Sequence, residues 1–162
     1  MKKLLSIILV VAILGSLVVV LVACNISTKG LQFELIENGT AYEVSLGEAS
    51  ADNIRIPSKH EGLPVTRIAR DGFRNGRFSR IKIPNSVTSI DDGAFYSSKI
   101  TKIVIPKSVT TIGAFAFTDC ILLTSVIIPN KVTTIEYATF SRPPNSLGGE
   151  NTIHHPPSTN NQ

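Results

Sequence analysis

The chain has 162 residues with 16 Lys or Arg and 12 Asp or Glu, and this length predicts one modest domain. Without Lys2 and Lys3, 14 basic residues stand against 12 acidic ones. This near balance argues against general nucleic-acid binding, so we expect no nucleic-acid partner.

The first segment of the chain predicts export from the cytoplasm. A basic start, Met1 to Lys3, precedes the stretch from Leu4 to Ala23, which contains neither charge nor Pro. This layout is typical of a secretory signal peptide, here residues 1–23. The stretch has about 20 residues, which is also the length of a transmembrane helix, so an uncleaved membrane helix is the alternative. With either interpretation we expect the rest of the chain outside the cytoplasm.

The apolar stretch ends in Leu21-Val22-Ala23-Cys24, which resembles a bacterial lipobox. In such motifs the signal is cut before the Cys, which is then diacylated, and two acyl chains are what stable membrane attachment needs. The resemblance implies that Cys24 is a lipidation site and that the membrane is a partner through it. Residues 24–30 would then form the lipidated Cys and a tether, and the protein would be lipid-anchored at the membrane or cell surface.

Residues 31–50 predict a β-hairpin. Apolar residues alternate with polar ones on both sides of Asn38-Gly39, and a central Asn-Gly pair is a strong hairpin signal. Because the terminal units of repeat proteins need a cap, we interpret this hairpin as an N-terminal cap.

Residues 51–140 contain four similar units, which begin near Ala51, Phe78, Ile100 and Leu123. Three prolines recur at steps of 22 and 23 residues: Pro84, Pro106 and Pro129. The same steps separate Phe95, Phe117 and Phe140. Each unit opens with three apolar residues spaced as in a leucine-rich repeat, and the Pro then ends the strand. The sequence therefore predicts a mainly β solenoid, a leucine-rich repeat of about four 22–23-residue coils with an N-terminal β-hairpin cap.

The second half of each unit predicts the interior. The Val-Thr-x-Ile segment returns two apolar residues to the core, and a small residue then precedes Phe in each unit: Gly72, Ala94, Ala116 and Thr139. We expect the Phe side chains to fill the interior. Cys120 has no partner if Cys24 is acylated, so we expect a buried thiol rather than a disulfide or a nucleophile.

Two segments, Ile83–Phe95 (IPNSVTSIDDGAF) and Ile105–Cys120 (IPKSVTTIGAFAFTDC), resemble BspA-type leucine-rich repeats of bacterial and some protist surface proteins. The resemblance covers residues 51–140, and Cys120 fills the family's Cys position. It implies an exported or surface-displayed protein that takes part in adhesion and binds host or partner surface proteins. It implies no catalytic residues and no cofactor.

The surface of the predicted strands offers a candidate binding face. Outward residues between the inward apolar pair are Arg55, Lys82, Val104 and Ile127, and those one row away are Asn53, Arg80, Lys102 and Ser125. If the strands stack in register, Arg55, Arg80, Lys82 and Lys102 gather on one surface and give way to an apolar end. The alternative is a charged face that only keeps the protein soluble. Phe115 stands where other units have Asp71, Gly93 or Ala138, as an exposed aromatic anchor or as a packing variant.

Two other polar clusters do not predict a metal site or a catalytic site. The pair His154-His155 lacks the further ligands of a closed metal site, and Asp91-Asp92 has no visible partner for acid–base work. We expect no metal, no cofactor and no enzyme activity. Residues 141–162 are rich in Pro, Asn, Ser and Gly, and we expect a disordered tail.

The sequence thus predicts a lipid-anchored cell-surface leucine-rich repeat protein that mediates protein–protein binding or adhesion. One alternative is a structural spacer of the cell envelope that binds no ligand. Another is a truncated remnant of a longer repeat adhesin.

Overall fold

The structure is a computed structural model that describes residues 27–141 and the strand Thr152–His154. The predicted signal peptide, Cys24 and most of the predicted tail lie outside the described residues. The described strands are β1 (Gln32–Ile36), β2 (Ala41–Ser45), β3 (Asn53–Arg55), β4 (Lys59–His60), β5 (Leu63–Ile68), β6 (Arg80–Lys82), β7 (Ser89–Ile90), β8 (Lys102–Val104), β9 (Thr111–Ile112), β10 (Ser125–Ile127), β11 (Thr134–Ile135) and β12 (Thr152–His154). Within residues 27–141 and 152–154, no helix is long and apolar enough to cross a membrane.

The strands form two sheets that run along the repeat axis. Sheet A has the order β1-β2-β5-β7-β9-β11 with β4 beside β5, and sheet B has the order β3-β6-β8-β10-β12. Neighbouring strands from successive units are parallel in both sheets. Each unit supplies one strand to each sheet, because its two apolar segments are separated by the turn that begins at the Pro. The predicted solenoid of about four coils is therefore confirmed.

The predicted hairpin is present and has a second role. Strands β1 and β2 are antiparallel, with Leu35 opposite Tyr42. Asn38 and Gly39 adopt the left-handed backbone that the turn requires, with φ of 56° and 83°. Strand β2 also pairs in parallel with β5, where Val44 stands opposite Ile68. The hairpin thus caps the solenoid by supplying sheet A with the strand that a preceding coil would have supplied.

Aromatic rings fill the centre of the solenoid, as predicted. Phe73, Phe95 and Phe117 are at most 2% exposed, and their rings stack with centroid distances of 5.5 and 5.2 Å. Phe140 continues the stack 5.3 Å beyond Phe117. The preceding residues Gly72, Ala94, Ala116 and Thr139 are small enough to let the turns approach one another.

Backbone bonds between coils also continue outside the strands. The amide N of Thr88 donates to the carbonyl O of Thr66 at 2.8 Å, and Thr110 donates in the same way to Thr88 at 2.9 Å. The hydroxyls of Thr88 and Thr110 donate to the same carbonyl oxygens at 3.2 and 3.4 Å. Backbone N–H and C=O groups of these turns, which have no partner within their own coil, are therefore hydrogen-bonded to the neighbouring coil.

Cys120 is a buried thiol, as predicted, and is 3% exposed. Its thiol donates to the carbonyl O of Phe95 at 3.0 Å, and Ser98 Oγ lies 3.4 Å from its sulfur. Burial raises the pKa of the Cys120 thiol. Ser98 occupies the corresponding place one coil earlier, so a small buried polarizable side chain recurs there.

The C-terminal coil differs from the expectation in two ways. Its Ile135 is 44% exposed and its Val132 only half-buried, because no described strand of sheet A covers β11. Within the segment predicted to be a disordered tail, Thr152–His154 forms β12, which pairs in parallel with β10. The disorder prediction does not hold for these three residues, since the open edge of β10 offers backbone partners to an extended segment. The other residues of the predicted tail, beyond Ser141, lie outside the described part.

Candidate binding surfaces

The exposed face of sheet B carries two columns of side chains. Each strand buries its central residue: Ile54, Ile81, Ile103 and Val126. One outward column consists of Asn53, Arg80, Lys102 and Ser125. The other consists of Arg55, Lys82, Val104 and Ile127. The alternation of strand side chains, together with the in-register parallel pairing, brings these residues onto one surface.

Four cations cluster on this surface, and we name Arg55, Arg80, Lys82 and Lys102 the basic patch. Arg80 stands between Asn53 and Lys102, and Arg55 stands opposite Lys82. Among the described residues, none of the four has a carboxylate oxygen within 4.0 Å of its charged nitrogens. The carboxylate of Asp52, next to β3, instead accepts bonds from the amide N and the hydroxyl of Ser79 at 3.0 and 2.7 Å.

The ion pairs of the described residues lie on a different part of the coils. Arg67 of β5 is 3.8 Å from Glu43 of β2 and 3.7 Å from Asp91. The other two pairs join Arg70 to Asp92 and Arg74 to Asp71, on the turns that follow the strands of sheet A. Charge is therefore segregated, with paired charges around sheet A and unpaired cations on sheet B.

The basic patch borders an apolar end. Val104 and Ile127 stand opposite each other on β8 and β10, and they are 61% and 42% exposed. Both are large exposed apolar side chains, so the surface changes from charged to apolar between β6 and β10, and β12 continues the sheet with His154 opposite Ile127. The structure thus brings together six of the residues that the sequence singled out for binding.

Phe115 does not belong to this surface. It lies on the turn after β9, where its φ is 56°, and Asp71, Gly93 and Ala138 have the same left-handed backbone in their coils. Its ring is 42% exposed and meets the ring of Tyr137 edge-on at 5.7 Å. The sequence offered Phe115 as an exposed aromatic anchor or as a packing variant, and its exposed ring lies on the turn after β9, which turns away from sheet B.

A shallow depression next to Phe115 was missed by the sequence reasoning. Its volume is about 360 Å³, and its lining includes two Arg, two Asp and Tyr96 around Gly93. The sequence did contain a signal for this depression. One turn position recurs in successive coils as Asp71, Gly93, Phe115 and Ala138, and only the glycine has no side chain there. A missing side chain in a repeated column leaves an opening.

The described end of the predicted tether is bound to sheet B. The amide N of Thr28 donates to the carbonyl O of Arg55 at 2.9 Å, and the amide N of Arg55 donates to Thr28 Oγ1 at 2.7 Å. Thr28 therefore lies along the outer edge of β3, at the basic end of the face. Cys24 itself lies outside the described residues.

Comparison with known proteins agrees with this architecture. A family model described as "BspA type Leucine rich repeat region (6 copies)" matches residues 45–148. The fold is similar to that of a leucine-rich repeat protein of T. pallidum, with a TM-score of 0.55, 24% identity, and coverage of 72% of this chain and 66% of that one. It is also similar to a leucine-rich cell surface protein of Faecalibacterium prausnitzii, with a TM-score of 0.59, 23% identity, and coverage of 79% and 41%. The chain thus spans less than two thirds of either structure, and no curated protein matches it.

Proposed function

Because the chain belongs to the BspA-type leucine-rich repeat family, we propose that it is a cell-surface adhesion protein that binds another protein through the exposed face of sheet B. Leucine-rich repeats form a non-enzymatic scaffold that serves protein–protein interaction in general. Stacked coils present a large preformed surface, so little conformational entropy is lost when a partner binds.

The observation that carries the proposal is the unpaired basic patch next to exposed Val104 and Ile127. Cations without intramolecular partners are available to the carboxylates of a partner and accelerate its encounter. Exposed apolar side chains next to them can be buried in the complex. The partner that fits is a protein with an acidic surface beside an apolar contact.

Charge reversal tests this assignment. The full chain and the triple variant Arg80→Glu, Lys82→Glu, Lys102→Glu are measured for binding to purified extracellular proteins that span acidic to basic isoelectric points. We expect the wild type to prefer acidic members and the variant to lose at least about tenfold in affinity, or about 1.4 kcal/mol. Binding of the wild type should also weaken with salt.

The matched control reverses three exposed lysines outside sheet B: Lys59, Lys107 and Lys131. This control changes the net charge by the same amount, so it separates the basic patch from overall charge. Equal losses in both triple variants would contradict a site on sheet B. Absence of any binding by the wild type would favour the alternative of an envelope spacer.

The proposed location is the outer side of the membrane, with a lipid anchor at Cys24. The basic start, the apolar stretch and the lipobox-like sequence support it, and one similar structure is named a cell surface protein. Thr28 is four positions beyond Cys24, and an extended chain over four steps spans at most about 14 Å. Since Thr28 is bonded to Arg55, a Cys24 anchor would hold the basic end of the face near the bilayer and leave the apolar end farther away.

Acyl labelling tests the anchor directly. Fatty-acid labelling should be lost in Cys24→Ser, and protease treatment of intact cells should cleave the wild-type protein. Unlabelled protein of full-length mass in both strains would instead indicate that Leu4 to Ala23 remains as a membrane helix. This experiment leaves the charge-reversal test unaffected, since the two examine different residues.

A further inference from the structure

We propose that the depression beside Phe115 is a second ligand site, which binds an uncharged sugar unit of a glycan. It lies on the turns that follow the strands of sheet A, and it shares no residue with the basic patch. The inference is therefore independent of the protein-binding role proposed for sheet B.

The shape of the depression fits a single small ring. Its volume is about 360 Å³, near the lower end of the usual range for small-molecule sites. Gly93 forms part of the lining, and a Cβ at this position would lie 2.4 Å from Asp71 Oδ1. Glycine thus keeps the site open and allows the Asp71 carboxylate to lie over the backbone of the next coil.

The charged groups of the lining form two ion pairs. Arg70 Nη2 lies 2.7 Å from Asp92 Oδ2, and Arg74 Nη1 lies 3.1 Å from Asp71 Oδ1. The other carboxylate oxygen of Asp92 accepts a bond from the amide N of Ala114 at 2.9 Å. Two cations and two anions line the site, so the lining has no net charge.

This pairing of donors and acceptors selects hydroxyl groups. A guanidinium has five N–H donors, and a carboxylate has several lone pairs, so both keep bonding capacity after they pair. A hydroxyl can accept from the guanidinium and donate to the carboxylate at once. An anionic ligand would face the two carboxylates as well as the two guanidinium groups, so the lining favours an uncharged polyhydroxyl ligand.

One aromatic ring remains available as an apolar wall. The Arg74 guanidinium covers the Tyr96 ring at 4.3 Å from its centroid, whereas Phe115 is 42% exposed. Tyr137 contacts Phe115 edge-on. The φ of 56° at Phe115 is the left-handed backbone that recurs at this turn position in successive coils, and it directs the ring toward the depression. The C–H face of a sugar ring can pack on this aromatic ring while its hydroxyls reach the charged pairs.

The test uses the full chain and immobilised uncharged oligosaccharides built from glucose, galactose, mannose or N-acetylglucosamine. We expect at least one to bind, with little change in affinity between 50 mM and 500 mM NaCl. Phe115→Asn removes the aromatic wall but suits the left-handed backbone, and it should weaken binding by about tenfold, the size of one good aromatic contact. Gly93→Asn, which fills the opening, should weaken it by at least as much.

Ala138→Asn is the matched control, since Ala138 has the same backbone conformation one coil beyond Phe115 and does not line the depression. It should bind as the wild type does, and circular dichroism should show all three variants folded. Lack of binding to every oligosaccharide would overturn the proposal, as would equal affinity of wild type and Phe115→Asn. In the triple charge-reversal variant of sheet B, stronger binding to acidic peptides than to any oligosaccharide, abolished by salt, would replace the sugar with a charged ligand. Triple charge reversal on sheet B should leave oligosaccharide binding unchanged, so failure of either site is recognised separately.

Discussion

The rings of Phe95 and Phe117 stack almost parallel, with 5.2 Å between their centroids and 9° between their planes. The two residues are 22 positions apart and occupy the same place in successive coils. The repeat in the sequence is therefore a repeat of contacts, in which each Phe is buried by the coils on both sides. A coil at the end of the stack has one such neighbour fewer among the described residues.

We expect this difference in burial between central and terminal coils to be measurable in the free energy of unfolding. Phe95→Ala should lower the free energy of unfolding by about 3–5 kcal/mol, because the ring is fully buried and a cavity remains. Phe140→Ala should cost clearly less, since Phe140 is only partly buried. Urea unfolding of both variants measures the two losses. Equal costs would show that the last coil is covered as completely as the central ones.

A second prediction concerns the turn position with left-handed backbone, which is occupied by Asp71, Gly93, Phe115 and Ala138 in successive coils. Ala138 has a φ of 54°, which costs an L-residue about 1–2 kcal/mol relative to glycine. Ala138→Gly should therefore raise the free energy of unfolding by up to about 1 kcal/mol, after the greater freedom of Gly in the unfolded chain is deducted. Thermal or urea unfolding is the measurement.

Ala116→Gly provides the contrast for this prediction. Ala116 is fully buried and is absent from the positive-φ residues, so its methyl group packs without backbone strain. The substitution should lower the free energy of unfolding by about 1 kcal/mol. A loss of stability in Ala138→Gly as large as that in Ala116→Gly would contradict a strained backbone at the turn.

Cys120 makes stability depend on pH in a defined direction. Its pKa is raised by burial, so above about pH 8.5 the unfolded thiol loses a proton that the folded thiol keeps. The unfolded state then binds fewer protons, and the free energy of unfolding falls as pH rises through this range. Unfolding curves of wild type and Cys120→Ala, measured between pH 7 and 10, should converge as pH rises. A constant difference between the two chains would contradict the raised pKa.

Much of the fold follows from local patterns. The period of Pro84, Pro106 and Pro129 and the apolar spacing around them predicted the coils, because one unit cannot bury its apolar face alone. The outward positions of Arg55 and Lys82 followed from the two-residue alternation of strands. The hairpin around Asn38-Gly39 followed from turn chemistry.

Features that depend on contact between distant elements were not predicted. The role of β2 as a strand of sheet A depends on its pairing with β5, and β12 depends on the open edge of β10. The depression beside Phe115 depends on the stacking of three successive turns around Gly93. Charge pairs such as Arg70 with Asp92 link successive coils through side-chain geometry that the repeat period alone does not specify.

The sequence by itself determined the architecture of this protein, since a period of 22 and 23 residues with inward apolar side chains can be satisfied only by stacking the units. The tertiary structure alone decided which surface charges remain unpaired. Arg67 and Arg70 form ion pairs with carboxylates of neighbouring coils, whereas no residue of the basic patch does so within the described part of the chain. The reason is physical: an ion pair depends on distances between side chains of different elements, and these exist only once the coils are stacked.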